Sequence, residues 1–79
     1  MKGSEAVKNR IIAILKEKGM SINKACSQGN LTTSTLNTML NNKSEYCSIK
    51  TIIKFCQGVS ISLYDFFQDE SFKNLEIED

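Results

Sequence analysis

Apolar residues recur every three or four positions along most of this chain, and that spacing predicts α-helices. The first apolar stripe consists of Val7, Ile11, Ile14 and Leu15. It predicts a helix over about residues 5–18, which Ser4 would cap and Gly19 would end. No segment alternates apolar and polar residues with the period of two that a strand requires, so we expect little or no sheet.

The second and third predicted helices are short and close together in the chain. Ser21 is a suitable N-cap for the second helix, and Gln28–Gly29–Asn30 would end it, since Asn tolerates the left-handed conformation of a sharp turn. Thr32 is a suitable N-cap for the third helix, and Asn41–Asn42 would end it. The apolar residues are Ile22, Ala25, Cys26 and Gly29 in the second helix, Leu31 in the turn, and Leu36, Met39 and Leu40 in the third.

The remaining pattern predicts two more helices. Ser48 would cap the fourth helix and Gly58 would end it, while Ser62 would cap the fifth with Asp65 three residues later. The fourth helix has an apolar stripe of Ile49, Ile52, Ile53 and Cys56, and the inward-facing residues of the fifth are Leu63, Phe66 and Phe67. Either Phe67 or Phe72 would complete the core. Five short helices with short links predict an all-α domain.

Charge is divided unevenly along the 79 residues, although the formal net charge is only +1. Residues 1–54 carry nine Lys or Arg and three acidic residues, whereas residues 55–79 carry one Lys and six acidic residues. Ordinary solvated surface is one interpretation of both parts. The other is a basic binding region with an acidic end turned away from it. We assign residues 1–73 to one domain and residues 74–79 to a disordered acidic tail.

The sequence offers little for catalysis or metal binding. It contains no His, and its three cysteines have no paired short spacing, so we expect no metal and no cofactor. Cys26 and Cys56 fit apolar faces as core residues, and Cys47 lies in a polar stretch where a redox role is a minor alternative. We find no nucleophile–base set, no Gly-rich phosphate loop and no evident small-molecule site, so we expect no enzyme activity. No apolar run suits a membrane span or secretory signal, and we expect a cytoplasmic protein.

The third predicted helix has an unusual composition for a surface helix. The segment "NLTTSTLNTMLNN", residues 30–42, contains no charged residue. Solvated helices favour Glu, Lys and Gln, because Thr and Ser have weaker helix propensity. Hydroxyl and amide side chains suit DNA instead: Asn can bond an adenine edge, and a Thr methyl group can contact thymine. Composition alone leaves an ordinary surface helix as the alternative.

The order of elements from residue 20 to residue 67 resembles the Xre family of Cro and lambda-repressor-like helix-turn-helix regulators. The segment is "MSINKACSQGNLTTSTLNTMLNNKSEYCSIKTIIKFCQGVSISLYDFF". The family pattern is a capped second helix containing Ala, Gly–apolar–Ser, a recognition helix, Asn-Gly-Lys, a fourth helix and an ending like "GISLxDFF". The match needs no gap. It implies an all-α, five-helix lambda-repressor-like DNA-binding domain, with the helix-turn-helix at helices 2 and 3 and double-stranded DNA as partner.

The resemblance also implies two groups of DNA-contacting residues. The base-reading residues are Thr33, Ser34, Asn37 and Thr38. The phosphate-contacting residues are Thr32, Thr35, Asn41 and Lys43. Ile22 stands where relatives often have a polar phosphate contact, so only its backbone N–H remains there. The chain also departs from the pattern at Ala25–Cys26, where Leu-Ala is frequent, and at Asn30 and Asn42, where Gly is usual.

The recognition helix also lacks Arg and Gln, so its short side chains must approach the bases closely or read partly through water and DNA shape. We expect a small sequence-specific repressor that binds a pseudo-palindromic operator as a homodimer. Further phosphate contacts could come from Lys2, Lys8, Arg10, Lys24 and Lys50, and a dimer surface from Leu63, Phe66, Phe67, Phe72, Leu75 and Ile77. The alternative is a protein-interaction module on the same scaffold with weak or no DNA binding, motivated by the low net charge and acidic tail.

Overall fold

A computed structural model describes residues 3–41, 48–73 and Leu75, and these ranges contain helices and no strand. The helices are α1 (Gly3–Lys18), α2 (Ile22–Gln28), α3 (Thr33–Asn41), α4 (Ile49–Val59) and α5 (Leu63–Phe66), followed by a 3₁₀ turn at Glu70–Phe72. The predicted all-α class and the order of five helices are confirmed. Helix α1 begins at Gly3, so Ser4 is not its N-cap, and the 3₁₀ turn was not predicted. The predictions for Lys2, Asn42, Lys43, Cys47, Asn74 and residues 76–79 lie outside the described residues.

One apolar core joins all five helices. Helix α2 contacts both α3 and α4, α5 contacts α4, and the 3₁₀ turn contacts α1. The predicted stripe of α1 is buried, and so are both cysteines that were assigned to the core. The buried apolar residues are Ala6, Val7, Ile11, Ile14, Leu15, Ala25, Cys26, Leu36, Met39, Ile52, Phe55, Cys56, Val59 and Phe66.

The end of α1 is a turn that favours glycine. Gly19 has a φ of +61°, its N–H donates to the Lys16 carbonyl at 3.2 Å, and the Met20 N–H donates to the Leu15 carbonyl at 3.0 Å. This pair of bonds is a Schellman motif, which satisfies carbonyls that the end of a helix leaves unpaired. The prediction that Gly19 ends the first helix is confirmed.

Helix α4 buries a different stripe from the predicted one. Ile49 is 54% exposed and Ile53 is 40% exposed, whereas Phe55 and Val59 are buried beside Ile52 and Cys56. The apolar stripe of α4 is wider than the surface that packs against the other helices, and Ile49 and Ile53 lie at its exposed edge. The prediction was therefore wrong for Ile49 and Ile53, which remain as apolar groups on the surface.

Both ends of α4 also differ from expectation. Ser48 occupies the N-cap position, but its side chain makes no capping hydrogen bond within the described residues. Gly58 does not end the helix, which continues to Val59 and stops at Ser60, whose φ is 60°. Gly58 is buried inside the last turn, and the reason for a glycine there lies in its contact with α2.

Aromatic residues of α5 and the 3₁₀ turn cover one end of the core. The Ser62 Oγ accepts a hydrogen bond from the Asp65 N–H at 3.0 Å, so the predicted cap is confirmed. Phe66 is fully buried, and its ring lies edge-on to that of Phe55, with centroids 6.1 Å apart. Phe67 is 36% exposed, contrary to prediction, and its ring centroid lies 4.9 Å from that of Phe72. Phe72 packs against the core and completes it.

Candidate nucleic-acid interface

Helices α2 and α3 are joined by a short turn with defined hydrogen bonds. The Ser21 Oγ caps α2 by accepting from the Lys24 N–H at 3.1 Å, as predicted. At the other end, Asn30 adopts the left-handed conformation with a φ of 55°. The Leu31 N–H then donates to the Cys26 carbonyl at 2.9 Å, and the Leu31 side chain packs against the core. The turn is therefore anchored at both ends, which fixes where α3 begins.

Two glycines bring the backbones of α2 and α4 into direct contact. A Cβ atom built on Gly29 would lie 2.2 Å from the Lys54 carbonyl oxygen. A Cβ atom built on Gly58 would lie 2.1 Å from the Ala25 carbonyl oxygen. Neither position has room for a side chain, because real Cβ contacts with backbone are essentially never this short. The sequence analysis took both glycines for end-of-helix signals and missed this contact, which holds the helix-turn-helix against α4.

Thr32 and Thr35 form a hydroxyl pair at the start of α3. The Thr32 Oγ1 accepts from the Thr35 N–H at 3.2 Å, which confirms Thr32 as the N-cap. The two hydroxyl oxygens lie 2.6 Å apart and share a hydrogen bond. This hydroxyl pair is exposed to solvent. The pair therefore presents polar oxygens beside the first N–H groups of α3, where the helix dipole favours an anion.

Helix α3 has one buried face and one exposed polar face. Leu36 and Met39 are buried and Leu40 is half-buried, which confirms the predicted stripe. The exposed residues of α3 are Ser34, Thr35, Thr38 and Asn41, and the half-buried polar residues are Thr33 and Asn37. The fold thus brings all the predicted base-reading residues, Thr33, Ser34, Asn37 and Thr38, to one uncharged surface. We call it the α3 polar face.

The cations expected to contact phosphate differ in how accessible they are. Lys24 on α2 and Lys50 on α4 are exposed, and Lys8 on α1 is half-buried. Lys43 and Lys2 lie outside the described residues. Arg10 is engaged elsewhere: its Nε donates to the Phe66 carbonyl at 2.8 Å and its Nη2 to the Asp65 carbonyl at 2.9 Å. The guanidinium therefore ties α1 to the end of α5, and these two nitrogens serve the fold.

Replacing Arg10 tests that structural role. Arg10→Met keeps an aliphatic stem but loses both hydrogen bonds to the α5 carbonyls. We expect the free energy of unfolding to fall by about 2 kcal/mol, since a hydrogen bond to a charged group contributes roughly 1.5–3 kcal/mol. Urea denaturation followed by circular dichroism measures this change. Lys16→Met, which removes an exposed cation from the same helix, is the matched control and should have little effect. Equal stability of the two variants would contradict the role assigned to Arg10.

The described cysteines are unreactive core groups. Burial raises the pKa of the Cys26 thiol. Burial also raises the pKa of Cys56 to about 11, although nearby Arg10 opposes the shift. Both thiols therefore stay protonated at neutral pH and are poor nucleophiles and metal ligands.

In the described part of the chain, no three His, Cys, Asp or Glu side chains are grouped so that they could hold a metal ion. None of the described helices is long and apolar enough to cross a bilayer.

A tight turn between two short helices, an anchored second helix and an exposed polar face on that helix define a helix-turn-helix DNA-binding domain. The chain belongs to the Cro/C1-type helix-turn-helix DNA-binding domain family, whose profile matches residues 10–71. The Xre-type resemblance is thereby confirmed. The chain is a DNA-binding regulator, in a family of regulators rather than enzymes.

Two crystal structures are similar to this fold. The prophage Lp1 protein 11 has 29% sequence identity and a TM-score of 0.80, covering 95% of this chain and 100% of its own. A point mutant of the restriction-modification controller protein C.Esp1396I has 25% identity and a TM-score of 0.73, covering 82% of this chain and 85% of its own. No curated protein sequence matches the chain significantly.

Proposed function

We propose that this chain is a small sequence-specific repressor that acts in the cytoplasm and binds its operator through the major groove. The observation that carries this proposal is the α3 polar face, held outward by the burial of Leu36 and Met39. Hydroxyl and amide residues, which have low helix propensity, fill that face, and they match the donors and acceptors of base edges. The similarity to a restriction-modification controller protein also supports a regulatory role.

In this proposal, one group of residues reads base edges and a second group contacts phosphates. Thr33, Ser34, Asn37 and Thr38 read base edges, because they occupy the exposed side and flank of α3. Thr32, Thr35, Asn41 and Lys43 contact phosphates and fix the register of α3 on the duplex. The hydroxyl pair of Thr32 and Thr35 suits this role, since it lies at the positive end of the α3 dipole.

A dimer would strengthen binding, because only a few cations of one copy can touch DNA together. We propose that two copies occupy half-sites about one helical turn apart on a pseudo-palindromic operator. Of the apolar residues expected to form the dimer surface, Phe66 is fully buried, and Phe67 and Leu75 are exposed. Ile49 and Ile53 on α4 and Tyr64 on α5 add exposed apolar groups that the sequence analysis did not include. These residues give a second copy more apolar surface than the C-terminal segment alone.

In-vitro selection tests the proposal. The full chain is incubated at low salt with random duplex DNA, and bound DNA is sequenced after several rounds. An enriched inverted repeat is the expected result, and its spacing gives the separation of the half-sites. A folded helical protein that enriches no sequence would overturn the proposal. It would favour instead a protein-interaction module. The lack of charged residues on α3 would then explain the absence of DNA binding.

Lys43 should contribute affinity without selectivity. Lys43→Ala is expected to weaken binding to the selected site and to random DNA by similar factors, because a phosphate contact carries no base information. The slope of log K against log salt should become shallower by about 0.9 for each phosphate that is no longer neutralised. Salt titrations by fluorescence anisotropy measure both quantities. A changed preferred sequence with unchanged overall affinity would identify Lys43 as a base reader instead.

A further inference from the structure

We infer that the base pairs read by α3 are predominantly A·T, and that Thr38 reads thymine through methyl–methyl contact. This inference rests on the proposed function and extends it to the class of sequence recognised. It follows from the methyl and amide groups on the α3 polar face, and from the hydrogen bonds that hold the Arg10 guanidinium at α5.

Guanine lacks its usual reader on helix α3. The commonest specific contact to guanine is an Arg or Lys bonded to its O6 and N7. The chain contains a single arginine, Arg10, and its guanidinium donates to the Asp65 and Phe66 carbonyls of α5. Helix α3 itself has no lysine or arginine among its nine residues. No cationic side chain therefore belongs to the α3 polar face.

Adenine and thymine, in contrast, match the groups on α3. An Asn side chain bonds adenine through both N6 and N7, and a Thr methyl group packs against the thymine C5-methyl. Asn37 supplies an amide, and Thr33 and Thr38 supply methyl groups, on the exposed side or flank of the helix. Hydroxyl groups can form hydrogen bonds with any base, so they add no preference for one base pair over another. The discriminating groups of α3 thus all favour A·T pairs.

Thr38 is the best placed of the three threonines in α3. Ser34, Thr38 and Asn41 are spaced four and three residues apart, so they form one row along the helix, and all three are exposed. Leu36 and Met39 are buried on the opposite side. Thr35 is exposed too, but its hydroxyl is bonded to Thr32 at the helix start. Thr33 is half-buried. The Thr38 methyl group is therefore the one most available to a base.

The test uses the site obtained by in-vitro selection, in which deoxyuridine replaces each thymidine of the half-site. This change removes only the C5-methyl groups from the major groove. Removing each contacted methyl group should weaken binding about three- to fourfold, from the free energy of burying one such group. Binding of the full chain to the two duplexes is compared by fluorescence anisotropy at one salt concentration.

Thr38→Ser isolates the proposed contact, because serine keeps the hydroxyl and loses the methyl. We expect this variant to bind the thymidine duplex about three- to fourfold more weakly than the wild-type chain, and to bind the deoxyuridine duplex as well as the wild-type chain does. Thr51→Ser makes the same chemical change on a threonine of α4, outside the proposed DNA contacts. It should respond to deoxyuridine as the wild-type chain does.

The outcomes separate this inference from the proposed function. An enriched site with G·C pairs under α3 would overturn the inference and leave a sequence-specific regulator. Equal binding of the wild-type chain to thymidine and deoxyuridine duplexes would do the same. Additive effects of Thr38→Ser and deoxyuridine would exclude Thr38 as the reader. A failure to enrich any sequence would overturn the proposed function itself.

Discussion

Gly58→Ala should destabilise the domain by about 2–4 kcal/mol. The new Cβ atom would lie 2.1 Å from the Ala25 carbonyl oxygen and 3.0 Å from the Gly29 nitrogen. Both neighbours are backbone atoms, so α2 and α4 must separate, which also loosens the core around Cys26 and Phe55. Overpacking costs typically 1–3 kcal/mol, and a clash with backbone belongs at or above that range. The gain in helix propensity, up to about 1 kcal/mol, is too small to compensate.

Thermal unfolding followed by circular dichroism measures this effect. For a domain of this size, each kcal/mol corresponds to about 4–8 °C, so the midpoint should fall by at least about 8 °C. Gly19→Ala is the matched control, since Gly19 has positive φ but no atom within 4 Å of an added Cβ. That variant should lose only about 1 kcal/mol from backbone strain. If Gly58→Ala were as stable as the wild-type chain, the close contact of α2 and α4 would be wrong.

The triple variant Thr33→Ala, Ser34→Ala, Asn37→Ala should abolish site preference. Each contact to a base edge discriminates by about 1–3 kcal/mol, so the selected site should be bound at least about 100-fold more weakly. Binding to random DNA should change little, because the phosphate contacts remain. The melting temperature should stay constant or rise slightly, since alanine has the better helix propensity at all three positions. Competition with random duplex DNA gives the specificity ratio.

Gln68→Ala is the control for that experiment, because it truncates an exposed amide on the segment after α5. It should leave the affinities for both DNA types unchanged. A triple variant that unfolds would show that the α3 polar face is buried in the protein. A folded triple variant with full site preference would move base reading to other residues.

The helices could be predicted because their signals are local. The hydroxyls of Ser21, Thr32 and Ser62 each accept from an N–H three residues further on. A cap of this kind depends only on neighbouring residues, and the sequence therefore contains all the information needed. The burial of Leu36 and Met39 also follows from spacing alone.

The features that could not be predicted depend on distant partners. The Arg10 Nε and the Phe66 carbonyl are separated by 56 positions in the sequence, and no pattern near either residue indicates the bond. Gly58 is ambiguous in the same way, since glycine suits both a helix end and a close helix contact, and only the position of Ala25 distinguishes them. The exposure of Ile49 and Ile53 reflects how α4 is rotated against the core.

The candidate binding surface could be predicted from the sequence only in part. Its position on α3 follows from the helix period, because the buried stripe determines which residues point outward. The order of elements gives the helix-turn-helix, and the family match over residues 10–71 agrees with it. The full operator sequence also depends on DNA shape at positions that α3 does not contact, and neither the residue types nor the fold alone contains that information.

The contact between Gly29 and Gly58 has a consequence for the thermodynamics of binding. Backbone lies against backbone there, so no layer of side chains between α2 and α4 can rearrange when DNA arrives. The helix-turn-helix is thus preorganised, and little conformational entropy of α2 is lost on association. The heat-capacity change measured by titration calorimetry should then reflect the contact area with DNA, without the additional change that accompanies coupled folding. Shape adjustment at the interface falls mainly to the DNA.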